Sequence, residues 1–133
     1  LYVTEPTLLH DLKLKFDKKH LAYTEYDALR FFLDNIDRII SKNLGKITIK
    51  LHPTEKKEKY KFIIKDFDKY LIKISKNVSL FEEIALHEVI VGCNTPPMVI
   101  GLLCGKKVFS SIPPSGRKCQ LPHSNIKMIR NLV

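Results

Sequence analysis

Hydrophobic and polar positions in this chain form two alternating kinds of segment. Short runs rich in β-branched and other apolar residues predict five strands, at residues 1–4, 46–51, 70–74, 88–91 and 107–110. Between them, apolar residues recur every three or four positions and predict helices, at residues 24–40, 55–67, 79–85, 96–103 and 124–132. Strands that alternate with helices need crossover connections, so the pattern predicts a mostly parallel α/β sheet of about five strands with helices on both faces.

Residues at the ends of these segments support the assignment. Thr24 is a typical N-cap, and Gly45 follows the same helix as a stop signal. Ser79, with Glu82 three residues later, predicts a capping box. The predicted helices therefore have defined starts and ends.

Length and charge limit the possible functions. The 133 residues predict a single domain, 1–133, and no apolar run approaches the roughly 18 residues of a membrane span. Because Leu1 already begins a strand-like run, we expect a C-terminal fragment of a longer protein. The formal charge of +9 suits phosphorylated small molecules or peripheral contact with an anionic membrane. No nucleic-acid partner is expected, because no aromatic-interleaved basic stripe or zinc-finger spacing occurs.

The cysteines indicate a reducing compartment. Cys93, Cys104 and Cys119 are odd in number and have no CxxC spacing, which favours free thiols in a cytoplasmic protein over a disulfide framework. Cys93 is interpreted as a small packing residue and not as a nucleophile.

A histidine at the end of a predicted strand is the first candidate for chemistry. His52 follows a β-branched run and precedes Pro53, which cannot continue a strand ladder. Ligands of open α/β sheets bind beyond the carboxyl ends of the strands, so His52 is expected at a ligand crevice. Near a phosphate it would act as a hydrogen-bond donor or acid; its alternative role is to bond a loop carbonyl.

A second strand end predicts an anion site beside it. Gly92 would let the backbone approach a ligand, and Asn94 or Thr95 would cap the helix that starts at Pro96. Free amides at a helix start bind phosphate, and the Thr95 hydroxyl would add a donor, or would only cap the helix. Ser110, with its neighbour Ser111, ends the fifth strand and is expected to line the same crevice.

Four short motifs, in this order, resemble the C-terminal half of bacterial sialyltransferases and polysialyltransferases. They are Tyr2-Val3-Thr4-Glu5-Pro6, Ile49-Lys50-Leu51-His52-Pro53, Val91-Gly92-Cys93-Asn94-Thr95 and Gly105-Lys106-Lys107-Val108. The resemblance spans residues 1 to about 112 and implies one half of a two-Rossmann-domain (GT-B) glycosyltransferase. It implies a Rossmann-like domain that holds the nucleotide of a CMP-sialic acid donor, with a surface glycan of capsule or lipooligosaccharide as acceptor.

The resemblance assigns roles position by position. It implies that His52, in the His-Pro motif with Pro53, contacts the donor phosphate and assists departure of CMP. The family's phosphate-binding pair matches Asn94 and Thr95, of which only Thr95 has a hydroxyl. The family's acidic pair followed by glycine is missing, so the catalytic base falls on Asp17, with Asp11 or Glu5 as substitutes.

We therefore expect a cytoplasmic glycosyltransferase domain, either free or peripheral on the inner face of the membrane, that performs inverting transfer without metal or cofactor. The isolated fragment is expected to bind nucleotide and to transfer nothing. Two alternatives stay open: a glycerophosphate or other sugar-nucleotide transferase of wall-polymer synthesis, and a non-catalytic basic binding module. Residues 7–23 are interpreted as a dimer contact or a lid.

Overall fold

One parallel sheet organises the protein. The structure, a computed structural model, describes residues 1–6, 23–40 and 45–133. Within these residues six strands lie in the order β3-β2-β1-β4-β5-β6, and every neighbouring pair is parallel. The strands are β1 (Tyr2–Val3), β2 (Lys46–Lys50), β3 (Leu71–Ser75), β4 (Val89–Gly92), β5 (Lys107–Ser110) and β6 (Lys127–Met128). This arrangement confirms the predicted Rossmann-like α/β fold, with a sixth short strand added at one side.

Helices cover both faces of the sheet. The described α-helices are α1 (Glu25–Asp34), α2 (Lys61–Ile64), α3 (Leu80–Leu86) and α4 (Pro96–Leu103). Short 3-10 helices span Ile36–Arg38, Lys65–Phe67 and Ile129–Asn131. None of the helices in the described ranges has the length and apolar character needed to cross a membrane.

Alternation of side chains along the strands builds two cores. Tyr2 joins the core under α1 and α2, where its ring stacks on Phe32 with 5.0 Å between the ring centroids. Val3, the next residue, joins the opposite core, with Ile84 of α3 and Met98 of α4. Because successive strand residues point to opposite faces, even the two-residue β1 contributes to both cores.

The predicted helix caps differ in outcome. The Thr24 hydroxyl accepts from the Asp27 N–H at 3.2 Å, and the Asp27 carboxylate accepts from the Thr24 N–H at 2.9 Å, which completes a capping box. Ser79 does occupy the N-cap of α3, but its side chain makes no capping hydrogen bond. The capping box predicted for Ser79 and Glu82 is therefore wrong.

Three predicted helices are shorter than expected. The first ends at Asp34 and continues only as the 3-10 helix Ile36–Arg38. The second begins at Lys61, because residues 57–60 form a turn. The predicted terminal helix is wrong: β6 pairs with the free side of β5, and only Ile129–Asn131 is helical.

The strand order creates a crevice. From β1, the chain adds β2 and β3 on one side and then β4, β5 and β6 on the other. At such a topological switch point the connections after neighbouring strands diverge, and ligands bind in the gap outside the carboxyl ends of the strands. We call the end of the sheet where strands finish the carboxyl edge, and the end where they begin the amino edge.

Candidate functional site

His52 lies at the carboxyl edge with its side chain exposed. Its backbone N–H donates to the Thr4 hydroxyl and to the Glu55 carboxylate, each at 3.0 Å. The Thr54 N–H donates to the ring atom Nδ1 at 3.2 Å. Because Nδ1 accepts this hydrogen bond, the neutral ring carries its proton on Nε2. Among the described residues Nε2 has no hydrogen-bond partner, so this N–H is available to a ligand.

Glu55 holds this loop against the sheet. Its buried carboxylate accepts hydrogen bonds from the hydroxyls of Thr4 and Tyr60. The same carboxylate pairs with Lys59 at 2.8 Å, and Lys59 also pairs with Glu25 of α1 at 2.8 Å. Burial alone would raise the pKa of Glu55, but the hydrogen bonds from Lys59, Thr4 and Tyr60 outweigh it and lower the pKa. The network ties the end of β1, the segment after β2 and the start of α1 together.

The sequence carries one signal for the role of Glu55. The residue stands three positions after the histidine, in His-Pro-Thr-Glu, where a tight turn returns its carboxylate to the His52 N–H. The Glu55 N–H donates to the His52 carbonyl at 2.9 Å and closes the turn. The hydrophobic pattern instead predicts a helix over residues 55–67, which would not turn Glu55 back towards His52.

Glu5 is the acidic side chain at the switch point. It follows β1, and its carboxylate accepts from the Asn94 N–H after β4 at 3.2 Å. Burial raises the pKa of Glu5 to about 6, although the Asn94 N–H opposes the shift. A carboxylate whose pKa lies near the working pH is suited to accept a proton.

Glu5 and His52 leave neighbouring strands at the same level. Val3 is in register with Lys50, and the Thr4 N–H continues the ladder by donating to the Lys50 carbonyl at 3.0 Å. Adjacent strands lie about 4.8 Å apart, so the two residues start from neighbouring backbone positions at the carboxyl edge. The structure thus places the backbone of Glu5, one of the substitute bases, beside the backbone of the predicted histidine.

The predicted amide cluster at the start of α4 is wrong. Pro96 and Pro97 occupy the first two helical positions and have no N–H to offer. The Thr95 N–H lies 3.5 Å from the Met98 sulfur, and the Asn94 N–H is directed at Glu5. The helix start therefore offers few free donors to a phosphate.

Asn94 and Thr95 do lie at the carboxyl edge beside Glu5. The Asn94 side-chain oxygen accepts from the Gln120 N–H at 3.0 Å and from the Cys119 thiol at 3.5 Å. Asn94 thus fastens the loop that follows β5 to the end of β4. Pro53 is exposed beside His52.

Gly92 and Ser110 serve packing and not ligand contact. A Cβ on Gly92 would lie 3.0 Å from the Met98 sulfur, so the glycine lets α4 approach β4 closely. Ser110 is 0% exposed and its hydroxyl donates to the Cys93 carbonyl at 2.7 Å. The prediction that these two residues face the crevice is wrong, because the α4 packing and the sheet cover them. Asp17 and Asp11 lie outside the described residues.

Cys93 is a packing residue, as the sequence indicated. It is buried with Tyr23, Ala28 and Ile112 at the carboxyl end of the sheet. Burial raises the pKa of its thiol to about 12, which keeps the sulfur protonated and unreactive at neutral pH.

A cavity of about 210 Å³ lies beside the loop after β5 that Asn94 contacts. Lys118, His123 and Arg130 are among its lining residues, together with Cys119, which contacts Asn94. The Arg130 guanidinium donates to two carbonyls of the loop after β5, at 3.1 and 2.6 Å, and so fixes one wall. This cavity places positive side chains on the β6 side of the crevice.

Within the described ranges, no group of three or more His, Cys, Asp or Glu side chains is placed to hold a metal ion. An Asp-x-Asp triplet occurs at residues 66–68, but it precedes β3 and Asp66 pairs with Arg30 at 3.1 Å.

Comparison with known proteins adds no relative. No family model, curated protein or solved structure matches the chain.

Proposed function

We propose that this chain is the donor-binding domain of an inverting glycosyltransferase, with a nucleotide sugar in the crevice at the carboxyl edge. The observation that carries the proposal is that Glu5 follows β1 at the switch point and His52 follows the neighbouring strand β2 at the same level. Glu5 is a carboxylate with its pKa raised to about 6, and His52 presents an outward Nε2–H. Displacement at an anomeric carbon is aided by two groups: a base that accepts the proton of the acceptor hydroxyl, and a hydrogen-bond donor that stabilises the leaving phosphate.

The reaction follows from these two groups. The acceptor hydroxyl gives its proton to the Glu5 carboxylate as its oxygen forms a bond to the anomeric carbon. The bond from that carbon to the donor phosphate breaks, and its electron pair leaves with the phosphate. The Nε2–H of His52 donates to a phosphate oxygen and stabilises the charge that develops there. Glu5 takes the role of base in place of Asp17.

Charge around the crevice supports an anionic donor. The chain carries a formal charge of +9, and Lys118 and Arg130 line the neighbouring cavity. A CMP-sialic acid donor bears a phosphate and a carboxylate, so a second cationic region beside the phosphate site suits it. The four motifs that resemble sialyltransferases point to the same donor and to a glycan acceptor. We place the reaction in the cytoplasm, at the inner face of the membrane where such a glycan would be assembled.

Nucleotide binding tests the proposal. We expect CMP to raise the melting temperature of the chain and to bind measurably by calorimetry, with UDP and CDP-glycerol less effective. His52→Ala should weaken CMP binding about 10- to 100-fold, because it removes a hydrogen bond to a charged oxygen. His52→Gln keeps an N–H near the same position and should retain most of the affinity. Lys57→Ala, an exposed change in the same segment, is the control for surface charge.

The same nucleotide titrations distinguish the proposed function from its alternatives. Selective binding of CDP-glycerol would favour the wall-polymer transferase. Binding of CMP that is equal in the wild-type protein and His52→Ala would remove His52 from the site. No shift with any nucleotide, together with steeply salt-dependent binding to RNA, would favour the non-catalytic module.

A further inference from the structure

Lysines cluster at the amino edge of the sheet around β5. Lys107 is the first residue of β5, and Lys106 stands immediately before it. Lys127, the first residue of β6, pairs with Phe109, two residues further along β5. Glu88 is the acidic neighbour, since its carbonyl accepts from the Lys107 N–H at 3.2 Å. Three lysines and one glutamate leave this part of the edge with an excess of two positive charges.

The three lysines line one cavity. It has a volume of about 340 Å³, and Asn125 adds a polar side chain to its wall. None of its lining residues, all of which the structure describes, is acidic. A cationic cavity of this size fits the phosphate of an anionic headgroup.

Two exposed leucines end the helices that return to the amino edge. Leu86 ends α3 with 78% of its surface exposed, and Leu103 ends α4 with 81% exposed. Both helices run back from the carboxyl edge, so both leucines reach the amino edge. The Lys106 ammonium donates to the Ala85 carbonyl at 3.5 Å and joins the end of α3 to the turn after α4. We call Leu86, Leu103, Lys106, Lys107 and Lys127 the β5 patch.

We propose that the β5 patch docks the protein on an anionic lipid bilayer. The lysines bind lipid phosphates, and the leucines enter the boundary between headgroups and acyl chains. Aliphatic side chains beside cations suit this partner. Single-stranded nucleic acid would instead require exposed aromatic rings, and the one aromatic residue that lines the cavity, Phe109, is buried.

The geometry keeps docking separate from the proposed donor site. The β5 patch lies at the amino edge, whereas Glu5 and His52 lie at the carboxyl edge, beyond the opposite ends of the strands. A bilayer on the β5 patch would leave the crevice open to nucleotide. Membrane docking at the β5 patch is therefore independent of which nucleotide sugar the crevice binds.

Vesicle co-sedimentation tests the proposal on the chain as it is. We expect binding to vesicles of phosphatidylcholine mixed with phosphatidylglycerol and little binding to phosphatidylcholine alone. The double variant Lys106→Glu, Lys107→Glu should bind at least about 30-fold more weakly. Each lysine near an anionic surface raises the membrane affinity about fivefold, and the two effects multiply. The double variant Leu86→Ser, Leu103→Ser should lose about tenfold or more.

Matched controls separate the patch from the net charge. Lys56→Glu with Lys57→Glu makes the same change of charge at two exposed positions after His52, and it should lose much less affinity. Leu71→Ser removes a leucine that is 68% exposed at the start of β3, outside the patch, and should bind as the wild-type protein does. All variants should keep the wild-type circular dichroism spectrum.

Several results would overturn the proposal. One is that the protein fails to bind anionic vesicles, and another is that the patch and control lysine variants lose equal amounts of vesicle affinity. A third such result is that inorganic phosphate at low concentration releases the protein from the vesicles. The last would indicate a soluble anion site in the cavity. Binding to single-stranded RNA that needs the patch lysines but not the leucines would identify a nucleic-acid surface instead.

Discussion

The raised pKa of Glu5 makes folding stability depend on pH in a direction opposite to that of most carboxylates. Burial at the switch point raises the pKa from 4.5 to about 6. Between these values the native state holds a proton that the unfolded chain has already released. Stability therefore falls as pH rises through this window, and it is fully recovered below the unfolded pKa. Glu5→Gln removes the titration and keeps an oxygen that can accept from the Asn94 N–H.

The magnitude follows from the size of the shift. A difference of roughly 1.5 pKa units corresponds to about 2 kcal/mol of unfolding free energy. The stability of the wild-type protein relative to Glu5→Gln should thus fall by about 2 kcal/mol between about pH 4 and about pH 7.5. Near the acid end the two proteins should be similar, because both side chains are then neutral.

Urea denaturation of both proteins across this pH range measures the difference directly. Groups that titrate equally in both proteins cancel in the subtraction. A difference that is constant with pH would show that Glu5 is not desolvated at the switch point. A difference that grows in favour of the wild-type protein with rising pH would show that Glu5 is stabilised as a carboxylate, and it would refute the argument that Glu5 is a tuned base.

Three further predictions follow from the described contacts. Glu55→Ala should destabilise the protein by about 3–5 kcal/mol, because it leaves a partly buried lysine and two hydroxyls without their shared carboxylate; a loss below about 1 kcal/mol in urea denaturation would contradict the network. Iodoacetamide should modify the exposed Cys104 in the native protein and reach Cys93 only after unfolding, as mass spectrometry can establish. Gly92→Ala should cost about 1–3 kcal/mol through the collision with α4, whereas Gly45→Ala, with no atom of the described residues within 4 Å of the new Cβ, should be nearly neutral; equal melting temperatures for the two variants would show that α4 can move away.

The fold could be predicted because local pattern and global arrangement agree. Runs such as residues 46–51 and 107–110 carry enough β-branched and apolar residues to identify buried strands, and the intervening helices impose the crossovers. The strand β6 could not be predicted in this way. Ile126 and Ile129 have helical spacing, but both are buried, and the free side of β5 takes Lys127–Met128 into a parallel ladder. Pairing with a distant strand thus overrides the local pattern.

The site could be predicted only in part, for the same physical reason. His52 stands at a strand end that sequence alone reveals. Gly92 and Ser110 are of residue types that serve a ligand or the core equally well, and only packing decides between the two. Glu55 depends on partners about 50 residues earlier in the chain, such as Thr4, so its role emerges only when β1 and β2 are neighbours.

Amide chemical-shift mapping with CMP tests the central claim most directly, because the chain is small enough for complete backbone assignment. We predict that the resonances that shift on titration belong to the carboxyl edge, above all His52, Thr54, Glu5 and Asn94. We also predict that the resonances of residues around Lys106 and Lys107 at the amino edge stay unchanged. Shifts confined to the amino edge, or none at saturating CMP, would contradict a nucleotide site at the switch point.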